Sequence, residues 1–417
     1  MNLRKRRQKI RAIYEEYPQQ FWLLVGVTFI DMVGNALIFP FFALFITDRF
    51  DVGMAQVGII FAIFAGSGLV GSTVGGALAD KMGRKAIVLF ALVMSALGNL
   101  VIVTITNFQV FYLIGALLGM LGSIGGPARQ AMVADLLPEE KRAEGFGIFR
   151  ISFNLAVVFG PLIGGLLAGI SYTLIFIVDA ITSIVTATIL FFVLKETRPE
   201  AAEENAGESL VQTFRGYGQV LRDMPFMTFV LLGMLVHLVY VQMNTTLPVY
   251  LRDMHGVPPQ GYGIILSMNA AMVVFFQLGF TRHLRQRGYP YMLVLAAGSF
   301  LYAIGFGMYG FVSVFVLFMV AMVIITIGEM LVVPVGQAVA AGFARDNMRG
   351  RYMAIFGFTF SISTGLGTFL AGLIMDNADP NWVWYLGGIL AAFSALSYAW
   401  LHRYLTASKR AVAVATS

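Results

Sequence analysis

Twelve apolar stretches, each about as long as a membrane-spanning helix, run through this chain of 417 residues. A spanning helix needs roughly 20 consecutive, mainly apolar residues. A soluble protein of this kind would have to bury nearly every residue, and its charged share of 12% is far below the roughly 25% of soluble domains. The sequence therefore predicts an all-α membrane protein with transmembrane helices at 20–47, 55–79, 86–106, 109–134, 146–170, 173–194, 225–251, 261–281, 291–310, 314–342, 351–376 and 382–402.

A repeat relates the first half of the chain to the second. Gly83 follows Gly58 by 25 positions, and Gly288 follows Gly263 by the same interval. A second set recurs at another constant offset, in which Pro127, Gln130, Arg142 and Gly165 correspond to Pro334, Gln337, Arg349 and Gly372. A repeat of this length indicates two similar structural units. We expect two six-helix halves with pseudo-symmetry about an axis along the membrane normal.

A polar, glutamate-rich stretch between the sixth and seventh apolar runs divides these halves. It is too short for a catalytic domain and is interpreted as a linker. The expected organisation is a basic N-terminal segment at 1–19, a first half at 20–195, a linker at 196–224, a second half at 225–405 and a tail at 406–417.

Lysine and arginine concentrate before the first apolar run and in alternate loops. Because these residues favour the cytoplasmic side, both termini and the linker are expected to be cytoplasmic. The same asymmetry accounts for the net charge of +6, so no nucleic-acid partner is needed. The run from Arg4 to Arg11 is either an anchor of this kind or a helix lying on anionic lipid. Cysteine is absent and the four histidines are scattered, so neither disulfides nor a metal site is expected.

A charged turn lies between the second and third apolar runs. Asp80 is followed by Lys81, Arg84 and Lys85, and a carboxylate beside guanidinium groups stays ionised and can form bidentate pairs. Asp135, at the end of the fourth run, is a candidate partner for Arg84 or Arg142. The alternative is flanking charge that follows the positive-inside rule alone. The candidate gate residues are Gly76, Asp80, Gly83, Arg84, Lys85 and Arg142.

Glycine and proline cluster in the fifth apolar run. Proline removes a backbone hydrogen bond and glycine removes bulk, so Gly160, Pro161, Gly164 and Gly165 suit a kinked, closely packed helix between the halves. A packing seam with no role in coupling explains them equally well.

Ionisable groups inside apolar runs are expensive in a membrane and are functional candidates by default. Glu329 lies in the middle of the tenth run, where it can carry a proton or attract a cation; a buried structural hydrogen bond is the alternative. Asp31, in the first run, is a candidate for substrate or proton contact, and Asp135 is a further coupling candidate. Asp179 is a weaker candidate for substrate or proton contact than Asp31; the favoured alternative places it on the outer side of the bundle, where it caps a polar contact. Arg129 is expected to pair with Asp135.

Neutral polar side chains in several runs are candidates to line a central cavity. They are Asn35, Asn154, His237, Tyr240, Gln242, Asn244 and Asn269.

The stretch Gly76 to Lys85 resembles the loop 2–3 signature of the major facilitator superfamily, and Phe159 to Gly165 is similar to the motif of its proton-coupled, 12-helix drug antiporters. The resemblance covers roughly residues 20–405 and implies that the loop 2–3 cluster latches the halves in the outward-facing state. Many members also carry a coupling arginine in the fourth span, in an Arg-x-x-x-Gly pattern. Gly115 stands there in this chain, so Glu329, Asp31 or Asp135 would have to serve instead.

The resemblance implies a multi-pass transporter of a bacterial cytoplasmic membrane that exports small amphipathic or cationic compounds, such as drugs, in exchange for protons. The expected partners are a small-molecule substrate, protons and membrane lipids, with the proton gradient as the energy source, no cofactor and a monomeric chain. A transporter of another solute, such as a sugar, an amino acid, a siderophore or a lipid, is the first alternative. A membrane enzyme or a non-transporting receptor is less favoured, because the sequence offers neither a nucleophile–base pair nor an output domain.

Overall fold

The computed structural model describes residues 14–198, 218–344 and 348–407. The expected basic run from Arg4 to Arg11, most of the expected linker and the end of the tail lie outside these residues. Twelve helices in the described ranges are long and apolar enough to cross a membrane, which confirms the all-α, twelve-helix prediction. In chain order, spans 1 to 12 are Gln19–Phe50, Met54–Met82, Arg84–Ile102, Phe108–Leu136, Glu144–Ala168, Tyr172–Val193, Met224–Thr245, Pro259–Leu284, Tyr291–Tyr309, Phe315–Phe343, Arg351–Asn377 and Asn381–Thr406.

Some helices extend beyond the apolar span that they contain. Span 5 belongs to a helix that begins at Glu139, and span 11 to one that begins at Arg349. The helix of span 8 continues to Arg287, and that of span 12 to Ala407. The extensions of spans 5, 8 and 11 carry charged residues, as expected where a helix leaves the hydrocarbon core.

Three spans are interrupted. Span 1 consists of helices Gln19–Ile38 and Phe42–Phe50, joined by a 3₁₀ turn at Phe39–Phe41. Its central residue, Pro40, has no backbone N–H to donate. Span 4 consists of Phe108–Ser123 and Gly125–Leu136, and span 7 of Met224–Tyr240 and Gln242–Thr245 with a further helix at Leu247–His255.

The described residues form two compact units. The first takes its residues from Met1–Phe39 and Gly66–Asn205, and the second from Pro40–Ala65 and Ala206–Ser417. The first unit therefore contains the beginning of span 1, the end of span 2 and spans 3 to 6. The second contains the end of span 1, the beginning of span 2 and spans 7 to 12.

A cluster of buried apolar side chains fills the first unit, where spans 1, 3, 4 and 6 meet. Phe21 and Leu24 of span 1 pack there with Val88 of span 3, Met132 of span 4 and Leu190 of span 6. Lipid tails are as apolar as these side chains, so close packing rather than exclusion of water stabilises the contact.

In the second unit, the beginning of span 2 packs closely on the end of span 11. A Cβ atom at Gly372 would overlap the backbone of Met54 and Ala55, so only glycine fits at this approach. The carboxylate of Asp376 accepts hydrogen bonds from the backbone N–H groups of Met54 (2.8 Å) and Ala55 (2.9 Å). The first turn of a helix has unsatisfied N–H donors, and Asp376 supplies acceptors for two of them.

Candidate functional site

Glu329 lies in span 10 of the second unit and is held by neutral hydrogen-bond donors. Tyr240 Oη of span 7 donates to Glu329 Oε1 at 3.0 Å, and Asn269 Nδ2 of span 8 donates to Oε2 at 2.8 Å. The same Asn269 nitrogen lies 2.9 Å from Thr326 Oγ1. Thr326 precedes Glu329 by three positions, which places both on one face of span 10. We call these four residues, with Tyr302, the Glu329 site.

Tyr302 of span 9 completes the Glu329 site. Its ring stacks on that of Tyr240 with centroids 5.9 Å apart, and its hydroxyl is buried with no hydrogen-bond partner in the described part of the chain. Its phenol interacts electrostatically with the Glu329 carboxylate. An unsatisfied buried hydroxyl is costly, and it leaves Tyr302 able to donate or accept a further hydrogen bond.

Among the described residues, no ion pair involves Glu329. The side chain is only partly buried, and its donors are neutral. A carboxyl group with these surroundings can bind a proton, or it can bind a cation when it is ionised.

The other two coupling candidates are paired with arginines of the first unit. Arg129 Nη1 of span 4 binds Asp31 Oδ2 at 2.7 Å, and Arg84 Nε of span 3 lies 3.4 Å from Asp135 Oδ2. Asp31 is almost completely buried. Of the three candidates, only Glu329 thus has no cationic partner in the part of the chain that the structure describes.

Two expectations about the first unit are wrong. Arg129 pairs with Asp31 and not with Asp135, because positions six apart in a helix do not share a face, whereas positions three and four apart do. Asp179 is not on the outer side of the bundle; it is 1% exposed and accepts a hydrogen bond from Asn99 Nδ2 of span 3. Ser183, one turn later in span 6, donates to Asp31 Oδ1 at 3.4 Å. We call Asp31, Asn99, Arg129, Asp179 and Ser183 the Asp31 cluster.

Four of the six expected gate residues, Asp80, Gly83, Arg84 and Lys85, lie where span 2 meets span 3. Arg84 Nη1 lies 2.5 Å from Asp80 Oδ1, one turn earlier, and the same guanidinium reaches Asp135. The Asp80 side chain is 70% exposed, so this contact contributes little to stability. Lys85 Nζ donates to the carbonyl oxygen of Phe191 at 2.7 Å. We call Asp80, Arg84 and Asp135 the Arg84 cluster. Arg142 is not part of it; its Nε donates to the carbonyl oxygens of Ala134 and Leu137.

Glu196 is a central member of this region that the sequence did not single out. Its Oε1 accepts from the backbone N–H of Arg84 at 2.9 Å, and its Oε2 from that of Lys85 at 3.1 Å. It also accepts from Thr197 N and Arg198 N. Burial alone would raise the pKa of Glu196, but these four backbone donors together hold it below its ordinary value.

Gly83 permits the approach of Glu196 to the start of span 3. It has φ +98°, and a Cβ atom there would overlap the Glu196 carboxylate. A residue with a side chain would be strained by this backbone conformation and excluded by this contact. Gly76 precedes Gly83 by two turns in span 2 and lies beside Pro127 of span 4.

The glycine and proline motif of span 5 forms one face of a continuous helix. The buried face carries Gly160, Pro161, Gly164 and Gly165. The opposite face, which includes Leu162, is exposed. A Cβ at Gly160 would overlap Ala36 of span 1, so the closest approach at this position is inside the first unit.

Two of the seven candidate cavity residues, Tyr240 and Asn269, belong to the Glu329 site. Gln242 instead bonds within span 7, to the carbonyl oxygen of Leu238, and His237 packs edge-on against Phe356 and Phe360. Asn35 donates to the carbonyl oxygen of Asp31, one turn earlier. Asn154 and Asn244 are half-buried and lie in spans 5 and 7.

The sequence did not identify Thr326 or Tyr302 as members of the Glu329 site. Thr326 could have been found from its spacing to Glu329, since residues three apart share a helix face. Tyr302 carries no such signal, because its position depends on how span 9 packs against spans 7 and 10. Within the described ranges, no group of three or more histidine, aspartate or glutamate residues could hold a metal ion.

The family model of the Major Facilitator Superfamily matches residues 24–301 and 287–415 of the chain. The "Na(+), Li(+), K(+)/H(+) antiporter" of Planococcus maritimus is 29% identical over 94% of this chain and 96% of its own length. The "Multidrug resistance protein MdtH" of Shigella flexneri is 22% identical over 94% of this chain and 96% of its own length. The crystal structure of the nucleoside transporter NupG superimposes with a TM-score of 0.77 at 14% identity, covering 92% of this chain and 99% of that one.

Proposed function

Because this chain belongs to the Major Facilitator Superfamily, we propose that it is a secondary active transporter that exports small amphipathic or cationic compounds in exchange for protons, by alternating access. The observation that carries the proposal is the Glu329 site. There a carboxyl group in a membrane-spanning helix is held by neutral donors, whereas Asp31 and Asp135 are paired with arginines.

A carboxyl group held in this way can exchange one bound positive charge for another. When it is protonated it is neutral, and when it is ionised it attracts a cation into the site. The hydroxyls of Tyr240, Tyr302 and Thr326 can serve as oxygen ligands or as donors to cargo. Competition between a proton and a cation for one carboxylate links their movements, because only one of them is bound at a time.

The relatives support the choice of cargo. One is named as an antiporter of sodium, lithium and potassium ions with protons, and another as a multidrug resistance protein. The cargo class thus extends from inorganic cations to organic ones, and an acidic site without a basic partner disfavours anions. The alternative is a transporter of another small solute, since solved structures of similar fold include nucleoside and peptide transporters.

The basic residues in alternate loops favour an orientation with both termini on the cytoplasmic side. The bacterial relatives support a bacterial cytoplasmic membrane. The chain acts as a monomer, with no resident cofactor and no enzymatic activity. The Arg84 cluster, with Asp80 and Asp135, stabilises one state of the transport cycle at the predicted cytoplasmic end.

Everted vesicles test this function. A pH gradient is imposed on vesicles that contain the wild type or the Glu329→Gln variant, and dissipation of the gradient is followed after addition of a lipophilic cation dye, sodium, lithium or potassium. The wild type should dissipate the gradient with at least one of these cations, and Glu329→Gln with none. Glutamine keeps the shape of the side chain but cannot be ionised.

The matched control is Glu144→Gln, which makes the same chemical change outside the Glu329 site. Glu144 accepts a hydrogen bond from Tyr17 Oη at 2.8 Å in the first unit. This variant should behave as the wild type does. Cation-dependent exchange that persists unchanged in Glu329→Gln would overturn the role given to Glu329. A wild type that ignores all the cations and moves a neutral solute would favour the alternative cargo.

A further inference from the structure

The Asp31 cluster contains a buried carboxyl group that the proposed cycle at Glu329 does not use. Asp179 is 1% exposed, and its Oδ2 accepts one hydrogen bond, from Asn99 Nδ2. Its Oδ1 is buried and has no hydrogen-bond partner among the residues that the structure describes. The carboxylate of Asp31 is close enough to interact with it electrostatically.

Arg129 supplies the positive charge of the Asp31 cluster, and it binds Asp31 rather than Asp179. Arg129 Nη1 binds Asp31 Oδ2 at 2.7 Å, and Ser183 donates to Asp31 Oδ1. Asp31 therefore has a cation and a hydroxyl, whereas Asp179 has one neutral amide. Asp31 from span 1 and Asn99 from span 3 lie near the Asp179 carboxyl group, and Arg129 from span 4 reaches it only through Asp31. The Thr182 hydroxyl lies against Gly34 beside Asp179 Oδ1 and donates to the Asp179 carbonyl oxygen.

If both carboxyl groups were ionised, the cluster would carry a net charge of −1 away from water. An uncompensated buried charge is strongly destabilising, and a buried oxygen without a donor adds to that cost. A proton on Asp179 Oδ1 removes the larger penalty, because it neutralises the second carboxylate. The Asp31–Arg129 pair is then the only charged element of the cluster.

The backbone of span 1 lies against Asp179 Oδ1. A Cβ atom at Gly34 would overlap Asp179 Oδ1 and Thr182 Oγ1, so the span 1 backbone lies directly against the carboxyl group. The helix that contains Gly34 ends four residues later, at the turn Phe39–Phe41. Release of a proton from Oδ1 to water thus requires a displacement of span 1.

We propose that Asp179 is a second proton-binding site, in the first unit, whose occupancy is controlled by the position of Arg129. While Arg129 binds Asp31, Asp179 holds a proton on Oδ1. When span 1 is displaced and Arg129 turns to Asp179, the O–H bond breaks, its electron pair stays on the carboxylate and the proton passes to the water that then reaches Asp31 and Asp179. The site goes beyond the proposed exchange at Glu329 and gives the cycle a second proton.

Infrared difference spectroscopy on the purified, full-length protein tests this site without transport. The C=O stretch of a protonated carboxyl group is recorded near neutral pH for the wild type, Asp179→Asn and Glu329→Gln. One protonated-carboxyl band should be lost in Asp179→Asn and kept in Glu329→Gln. An Asp179→Asn spectrum identical to that of the wild type in this region would overturn the proposal.

A second variant guards against a misfolded Asp179→Asn protein. Asp31→Asn leaves Asp179 in place and frees Arg129 to pair with it, so the Asp179 band should also disappear there. If the band persists in Asp31→Asn, Arg129 does not control the proton and the proposal fails. Because these readouts need no cargo, their failure is distinct from a failure of cation exchange at Glu329.

A transport measurement then links the site to the cycle. In vesicles, Asp179→Asn should lower the number of protons exchanged per cargo by one, while exchange itself continues. An unchanged proton number would overturn the assignment of the second proton to Asp179.

Discussion

Arg129 and Asp31 form a 2.7 Å ion pair across 98 positions of sequence, linking span 4 to span 1 inside the first unit. Their side chains are 17% and 5% exposed, so neither charge is well solvated. Removal of one member of such a pair leaves an uncompensated buried charge, whereas removal of both does not.

We therefore expect Arg129→Met to destabilise the protein by roughly 3–5 kcal/mol and the double variant Arg129→Met/Asp31→Asn by clearly less. Unfolding of the detergent-solubilised protein, followed in a double-mutant cycle, measures the coupling. Lys141→Met is the control, because the Lys141–Glu16 pair is half-exposed and should contribute about 0–1 kcal/mol. Equal losses in Arg129→Met and Lys141→Met would contradict the expectation.

The close approach of span 2 to span 11 leads to a prediction about stability. Gly372→Ala should destabilise the second unit by about 1–3 kcal/mol, since the added methyl group must displace the backbone of Met54 and Ala55. Gly357→Ala is a matched control in the same helix, where a Cβ atom would meet nothing within 4 Å. Thermal unfolding of the two variants compares them directly. A loss in Gly357→Ala as large as that in Gly372→Ala would argue against the contact.

Asp376 should hold the first turn of span 2 in place. Asp376→Ala removes both acceptors from Met54 N and Ala55 N, a change that should cost about 1 kcal/mol, as the loss of a helix cap does. The chain has no cysteine, so Met54→Cys provides a unique label at a position that is 2% exposed. Maleimide labelling should be slow with Asp376 present and several-fold faster with Asp376→Ala. Labelling at one rate in both backgrounds would show that this turn is held by other contacts.

Glu196 should make stability depend on pH in the acidic range. Its pKa is lower in the folded protein than its ordinary value of 4.5, so the ionised form favours folding. This stabilisation is complete above pH 4.5 and is lost as the pH falls through the lower, folded-state pKa. The difference in melting temperature between the wild type and Glu196→Gln should therefore shrink on acidification from about pH 7 to about pH 3. A difference that stays constant would mean that the charge of Glu196 does not matter.

The helices could be predicted from the sequence because their length is set by the thickness of the bilayer, a local requirement that each apolar run satisfies by itself. The contacts of the charged residues could not. Arg129 was assigned to a carboxylate near it in sequence, whereas helix geometry directs it to Asp31 in another span. Glu329 could be singled out because a lone carboxyl group in an apolar run is conspicuous. Its donors, Tyr240 and Asn269, were proposed only as general cavity residues, since their meeting depends on the packing of three spans.

Glu196 was missed for a different reason. It lies in a polar stretch in which many glutamates are alike, and only the fold distinguishes the one that accepts four backbone hydrogen bonds. The glycine at position 83 offers a partial signal in the sequence, since glycine in a charged turn often marks a backbone that must be approached closely. Its positive φ in the structure agrees with this.

The contacts of Glu196 also bear on where the chain can be divided. Arg198 Nη1 donates to the carbonyl oxygen of Lys81 at 2.8 Å, and Glu196 and Thr197 lie against the same turn, so the chain remains attached to the first unit up to residue 198. A break introduced before Glu196 would place these three residues on the second fragment, although their contacts are with the first unit. Co-expressed fragments 1–198 and 199–417 should therefore reassemble a working transporter, and fragments 1–195 and 196–417 should do so poorly.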